Sequence, residues 1–384
     1  MDFVKVKGSQ KDYAWGNNEF ISNFLGIEPK KIAEIWWGCH PQGPNYIDDK
    51  LTLAKYIKEN PEAIGKHESF PFLFKILAIK SMLSLQVHPD KKAAQEGWEK
   101  EEPFHSTLDR NNWNYQDSNQ KAEMLMALTP VTAMCGFRPF PEIQKKLENL
   151  LKNSYSYFSK AKNIKEFFHI LYTLEKPDLM LCINEYKKFL WKMDDMCLGA
   201  FLTDYQIACQ CLEKYPSDPA VFAPFFMNIV HLSPGDAMYL KPKVIHSYVY
   251  GNGVELMNNS NNVLRAGLTN KHMDLDELEK ISIFESTQPQ ILDTEFRSSG
   301  KVFLLPFNAE RDFQLTQCKK GLFEFSEKSV KLAFCFEGKA KFESNSQKLE
   351  LKKGEACFID YRCRNFTIDT KEGLVYLASC GKER

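Results

Sequence analysis

Four side chains scattered through this sequence have the right chemistry to hold one divalent metal ion. Gln86 and His88 stand two positions apart in LSLQVHPD (83–90), and on a strand that spacing turns both side chains to the same face. Glu123, in QKAEMLMAL (120–128), offers a carboxylate, and His246, closing GDAMYLKPKVIH (235–246), offers a second imidazole. Taken singly each is ordinary, because an isolated histidine is usually structural and most glutamates are solvated surface groups. Taken together they make a mixed nitrogen and oxygen set, suited to a catalytic zinc-like ion that keeps one position open for water or substrate. Such an ion polarises a hydroxyl or carbonyl oxygen and stabilises negative charge developing beside it. No cysteine is required.

The elements that must bring these residues together can be read from the pattern of apolar residues. Short β-rich runs broken by Gly, Pro and Asn dominate residues 1 to about 140, as in WGCHPQGPNYI (37–47). A helical stretch interrupts them. In residues 70–90 alternation returns around Leu83, Leu85 and Val87, which puts Ser84, Gln86 and His88 on the opposite face. From Pro141 to about Phe225 the period changes: Ile143, Leu147, Leu150 and Leu151 recur at helical spacing, as do Phe167, Phe168, Leu171 and Leu174. The PSDP run at 216–219 marks a boundary near the end of this helical insert, after which strands resume.

Two later segments resemble each other. GDAMYLKPKVIH (235–246) and GEACFIDYRCRN (354–365) share a Gly, an acid and an Ala, then an aromatic and an aliphatic residue at matching offsets. The match predicts two copies of one unit, a turn feeding a strand that ends at a loop. The first copy ends in His246 and the second in Asn365, and no histidine follows His272. Two barrels with a single metal, held in the first, is the expectation.

The bulk properties exclude several classes. The 384 residues, 43% apolar, can bury a large core, and 50 basic residues against 50 acidic ones leave no global field to attract nucleic acid or an anionic membrane. No stretch approaches the roughly 18 apolar residues of a membrane span, and the start, MDFVKVKGSQ, lacks a signal-peptide core. Eleven cysteines without zinc-finger spacing suggest reduced thiols in a reducing compartment. A cytoplasmic protein acting as a monomer is expected.

Five segments, YAWG (13–16), AEIWWGCHPQGPN (33–45), FPFLFKILAIKSMLSLQVHPDK (70–91), NYQDSNQKAEMLMALTPVTAMCGFRP (114–139) and LSPGDAMYLKPKVIHSYVYGNGVELMNNSNNVLRAGLTNK (232–271), together resemble the type I phosphomannose isomerases of the cupin superfamily. The LQxHPDK and RAGLT blocks are specific in combination. The resemblance implies a mostly β fold with an α insert: two cupin-like (jelly-roll) β-barrels plus a helical domain. Residues 1–140 and 226–285 would form the catalytic cupin, 141–225 the helical insert, and 286–384 a C-terminal cupin-like domain that has lost its ligands. It implies that Gln86, His88, Glu123 and His246 bind one Zn2+ per chain, with other divalent metals possible. It also implies that Arg265 acts in catalysis and that Glu255 lies in the active site. The substrate would be a small sugar phosphate, mannose 6-phosphate interconverting with fructose 6-phosphate through a cis-enediol.

That reaction needs a base and a stabiliser of developing negative charge. Glu255, following the turn GNG (251–253), is the preferred base or proton shuttle, Lys121 the competing candidate, and Arg265 the stabiliser. Lys75, Ser84 and Lys271 match positions able to hold the phosphate, and Glu34 matches an active-site acid. His40 and His272 lie in matching blocks and could border the pocket.

The sequence departs from the family pattern in two places. His-Lys-Pro-Glu reads Gln120, Lys121, Ala122 and Glu123, and Ser-Asp-Asn reads Ser260, Asn261 and Asn262. The second change removes a carboxylate near Arg265 and leaves the ligands in place. Two other functions compete with the isomerase: a cupin oxygenase using iron or manganese, and a non-catalytic sugar-phosphate-binding protein motivated by these departures.

Overall fold

A computed structural model describes residues 1–192, 199–306, 309 and 313–380. Its architecture is mostly β with a block of helices, organised around two large antiparallel sheets. The long strand His246–Asn258 organises the first sheet. Its N-terminal part pairs with Val131–Phe137, and from Gly251 onward it lies between Phe72–Ile79 and Glu123–Ala127. The strand changes partners at a register shift between Tyr248 and Tyr250. Gly251 follows at φ 112°, where a Cβ would stand 2.4 Å from the Pro130 carbonyl oxygen, so only glycine fits this corner.

Strand Phe72–Ile79 is buried at all eight positions. A strand covered on both faces shows no alternation, which is why the period-2 signal emerges only beyond Leu83, in the short strand Leu85–Val87. The helical interruption ahead of it falls at Leu53–Glu59 and Pro61–Ile64.

Helices Phe140–Leu151, Ile164–Thr173, Lys176–Leu190 and Asp204–Lys214 follow the first strands. Pro141 sits in the first turn of the first helix and Ile143, Leu147, Leu150 and Leu151 are its buried stripe. Thr203 and Gln206 form a capping box on the last. Their apolar faces share a core with Leu85, Val87, Met134 and Leu264 from the strands, so the helices brace the end of the sheet that carries His88 and His246.

In the second sheet, strands Phe3–Val6, Ala356–Ile359, Lys331–Ser344, Gly373–Ser379, Gln314–Lys319, Gly300–Phe303 and Thr294–Arg297 lie in that order. Among the described residues neither sheet closes on itself in its hydrogen-bonded order; the cupin-like units are built as packed antiparallel sheets. The N-terminal strand pairs far along the chain. Phe3–Val6, expected within the catalytic unit, pairs antiparallel with Ala356–Ile359 in the C-terminal sheet.

The two sheets pack on one another through a common core that includes Trp37, Phe72 and Phe74 from the first and Phe334 and Phe358 from the second. Trp37 stacks on Phe334 with centroids 4.9 Å apart and planes 8° from parallel. The repeated segments have the same local form: Gly235 and Gly354 both take positive φ, at 93° and 86°, and feed strands Ala237–Leu240 and Ala356–Ile359.

Candidate metal centre

His88, Glu123 and His246 converge: each offers a ligand atom, and these atoms lie within 4.8 Å of one another. All three are 1% exposed. Strand pairing accounts for the convergence of residues so far apart in sequence. His246 opens the long strand opposite Gln86, Met257 on the same strand faces Glu123, and His88 leaves the end of the strand that carries Gln86. Asp90 then caps helix Lys91–Glu101, accepting from the Ala93 N–H, which fixes the chain just beyond His88.

Both imidazoles are oriented the same way. Nδ1 of His88 lies 2.7 Å from the Asn262 carbonyl oxygen, and Nδ1 of His246 lies 2.9 Å from that of Val244. A carbonyl can only accept, so each Nδ1 carries the proton and each Nε2 presents its lone pair inward. Those Nε2 atoms stand 3.3 and 3.4 Å from the two oxygens of Glu123. The Nε2 of His246 is buried with no hydrogen-bond partner. An orphaned lone pair, a neutral imidazole and a carboxylate facing one point form a donor set that fits a divalent cation. Burial, reinforced by the charge of Lys121, pushes His88 down to about 3, which keeps it neutral as a ligand must be. Burial would raise the Glu123 carboxyl, but the charge of Lys121 holds it well below its ordinary value.

Lys121 Nζ lies 3.0 Å from Glu123 Oε1 and 3.3 Å from His88 Nε2. On the other side, the Tyr248 hydroxyl donates to Glu123 Oε2 at 3.3 Å. Burial, with the charges of Glu123 and Glu255, holds that phenol well above its ordinary value. Tyr248 was absent from the sequence-based set, although its position two residues beyond His246 puts it on the same strand face. Gln86 is flanked in register by His246 on one side and Arg265 on the other.

Lys75 and Glu255 form a second buried group. They are opposed in register on neighbouring strands, and Lys75 Nζ lies 2.7 Å from Glu255 Oε2. Burial opposes the Lys75 charge, but Glu255, Glu34 and Glu123 raise its pKa overall. Burial raises that of Glu255 despite Lys75. Trp36 walls this group: Lys75 and Lys11 stand 5.0 and 4.7 Å from its ring centroid, and its indole N–H donates to Glu34. His40 packs edge-on against the same indole, with ring centroids 5.3 Å apart.

Arg265 is half-buried on strand Leu264–Gly267, and burial lowers its pKa. Lys271 is exposed; partial burial and then the charge of Arg265 lower its pKa, so the two cations share one neighbourhood. Ser84 is half-buried just before strand Leu85–Val87, and His272 is exposed beside Lys271. Gln120 is buried and lines a cavity of about 390 Å³ together with Asn258 and Lys91. At the other departure Asp117 supplies a carboxylate: it accepts from the Ser260 hydroxyl and the Asn261 N–H, both at 2.9 Å. The Asn261 side chain instead donates outward to Gln42 at 3.0 Å.

Comparison with known proteins gives this geometry its context. Residues 3–140 match the family model "Phosphomannose isomerase type I, catalytic domain", and residues 303–377 match "Mannose-6-phosphate isomerase, cupin domain". The chain is 33% identical over 374 residues to the mannose-6-phosphate isomerase of Escherichia coli, covering 92% of this chain and 94% of that one. The chain belongs to the type I phosphomannose isomerase family. A crystal structure of a substituted phosphomannose isomerase from Salmonella typhimurium superposes over 100% of both chains with a TM-score of 0.88 at 28% identity. A zinc-bound mannose 6-phosphate isomerase structure does so with a TM-score of 0.87 at 28% identity. Membership of the phosphomannose isomerase family makes this chain an aldose–ketose isomerase with a cupin fold. Among the described residues, no helix is long and apolar enough to cross a membrane.

Proposed function

We propose that this phosphomannose isomerase interconverts mannose 6-phosphate and fructose 6-phosphate at a zinc site formed by Gln86, His88, Glu123 and His246. The observation that carries the proposal is the placement of three inward-facing ligand groups beside a buried Lys75–Glu255 pair. A divalent ion bound there supplies Lewis-acid polarisation of the sugar's carbonyl and hydroxyl oxygens.

The chain's own residues supply the rest. Glu255 takes the proton from the carbon next to the carbonyl and returns it to the neighbouring carbon, passing through a cis-enediol. Its raised pKa suits a group that must both accept and return a proton near neutral pH. Lys75 holds the Glu255 carboxylate at 2.7 Å, so its role is to position the base rather than to bind phosphate as the sequence match implied. Lys121, in contact with both Glu123 and His88, is the competing proton carrier. Arg265 stabilises developing negative charge, and Lys271 and Ser84 receive the phosphate. Glu34 fixes the indole wall through the Trp36 N–H.

The site needs no residue from a second copy to assemble its ligand cluster, and action as a monomer is part of the proposal. Ten cysteines among the described residues are free thiols, which supports a cytoplasmic location. A coupled assay with mannose 6-phosphate, before and after chelation and with zinc, manganese or cobalt added back, tests the proposal. Metal-dependent turnover is expected, and full activity in the chelated protein would remove the metal from the mechanism.

A further inference from the structure

The C-terminal sandwich has no histidine ligands, yet one end of its interior is polar and hollow. Along strand Lys331–Ser344, Leu332 and Phe334 pack toward the catalytic sheet, whereas Ala333 and Cys335 face the sandwich's own core. Alternation therefore aims Lys331 into that core as well. By the same parity Gln314 and Thr316 face inward with Cys318, and Ser379 faces inward with Leu377. Strand register places Gln314 opposite Ser379 and Ser379 opposite Lys331, so a polar row crosses three adjacent strands where the apolar core stops.

This row forms part of the wall of a cavity of about 610 Å³, large enough for a molecule of sugar size. Lys331 is 3% exposed and Thr316 4%. The Lys331 ammonium donates to the carbonyl oxygens of Glu327 and Ser329 at 2.9 and 3.0 Å. Neutral carbonyls fix its direction without cancelling its charge. Burying an ammonium in a strand that an apolar residue would fill at no desolvation cost is unfavourable unless the charge is used, and burial pushes this one down to about 8. The catalytic centre at the other sandwich uses none of these residues. Arg297, Glu324, Glu327 and Lys328 also border the cavity, so charges of both signs stand around its edge.

We propose that this cavity is a second ligand site, which takes a small hydroxylated anion with its carboxylate or phosphate group on Lys331 and its hydroxyls on the Gln314, Thr316 and Ser379 row. L-Malate and glycerol 3-phosphate are probes for the two forms of that anion. Each is titrated calorimetrically into the metal-loaded full chain, and kcat and KM for mannose 6-phosphate are measured on the same preparations. The wild-type chain is expected to bind one equivalent of at least one probe. Lys331→Met should weaken that binding tenfold or more and Ser379→Ala several-fold, both with kcat and KM unchanged. If Lys331→Met does not fold, Ser379→Ala and Thr316→Val decide the question by the same comparison. The site is refuted if neither probe binds at millimolar concentration, or if the variants bind as tightly as the wild type. Because isomerisation is read separately, loss of either proposal leaves the other standing.

Discussion

Lys75 and Glu255, 180 positions apart in sequence, meet at 2.7 Å as register partners on two neighbouring strands, and neither side chain has appreciable access to water. A buried carboxylate held by a buried ammonium is costly to break, because either group left alone is an uncompensated charge. Held this way beside the His88, Glu123 and His246 cluster, the Glu255 carboxylate is fixed in one orientation.

Glu255→Gln preserves the shape of that carboxylate and removes its proton affinity. The variant should bind metal as the wild type does and lose roughly two to four orders of magnitude in turnover. Isotope exchange from solvent into fructose 6-phosphate should fall in parallel. Wild-type exchange in this variant would pass the role of base to Lys121.

Lys75→Met strands the Glu255 charge. Stability should drop by about 3–5 kcal/mol, the range for removing one member of a buried pair. The double variant Lys75→Met with Glu255→Gln should recover much of that loss in a denaturant titration. If Lys75 held only phosphate, the second substitution would restore nothing.

Metal dependence should follow the orientation of the imidazoles. His246→Ala deletes the inward lone pair that lacks any protein partner, and no added zinc should restore its activity. Tyr248→Phe removes only the hydroxyl that donates to Glu123. Zinc affinity should then fall by about 10- to 100-fold, the usual cost of losing a group that orients a ligand. Zinc content measured after dialysis distinguishes the two: absent in the first variant, reduced and recoverable in the second.

Arg265 and Lys271 are expected to differ in the constant they change. Lys271→Met, at an exposed position, should raise KM for mannose 6-phosphate several-fold with little effect on kcat. Arg265→Ala should lower kcat as well, because charge develops beside it as the enediol forms. Equal effects on kcat from both substitutions would contradict this division.

The stack of Trp37 on Phe334 couples the two halves. Trp37→Ala should cost about 3–5 kcal/mol, as large-to-small changes in a packed core do. Thermal unfolding of this variant is expected to remain a single transition at lower temperature, since the shared core links both sheets.

Much of the candidate site is legible in the sequence, for reasons that differ between residues. Gln86 and His88 carry their own evidence, since two positions on a strand share a face whatever else the chain does. The helical block was equally visible: Ile143, Leu147, Leu150 and Leu151 repeat at the helical period because one face is buried. The partner of Lys75 was not legible, because a cation in a matching motif looks the same in sequence whether it faces a phosphate or, as here, the Glu255 carboxylate. Tyr248 was missed because one tyrosine in an apolar strand has no chemical signature until its hydroxyl finds Glu123.

By itself the sequence determined which residue types were available, which faces they occupy on their own strands, and, through blocks such as LQVHPDK and RAGLT, the family. It could not determine what lies across from each strand. That depends on register and on corners such as Gly251, where the long strand changes partners. The tertiary structure decided that Lys75 faces Glu255, that Asn262 and Val244 set the imidazole tautomers, that Asp117 supplies the carboxylate missing at Asn261, and that Phe3–Val6 closes on the far sheet. Each is a contact between segments distant in the chain. Local preference fixes how a strand presents its own side chains, whereas the identity of the side chain opposite is settled only when the whole core has packed.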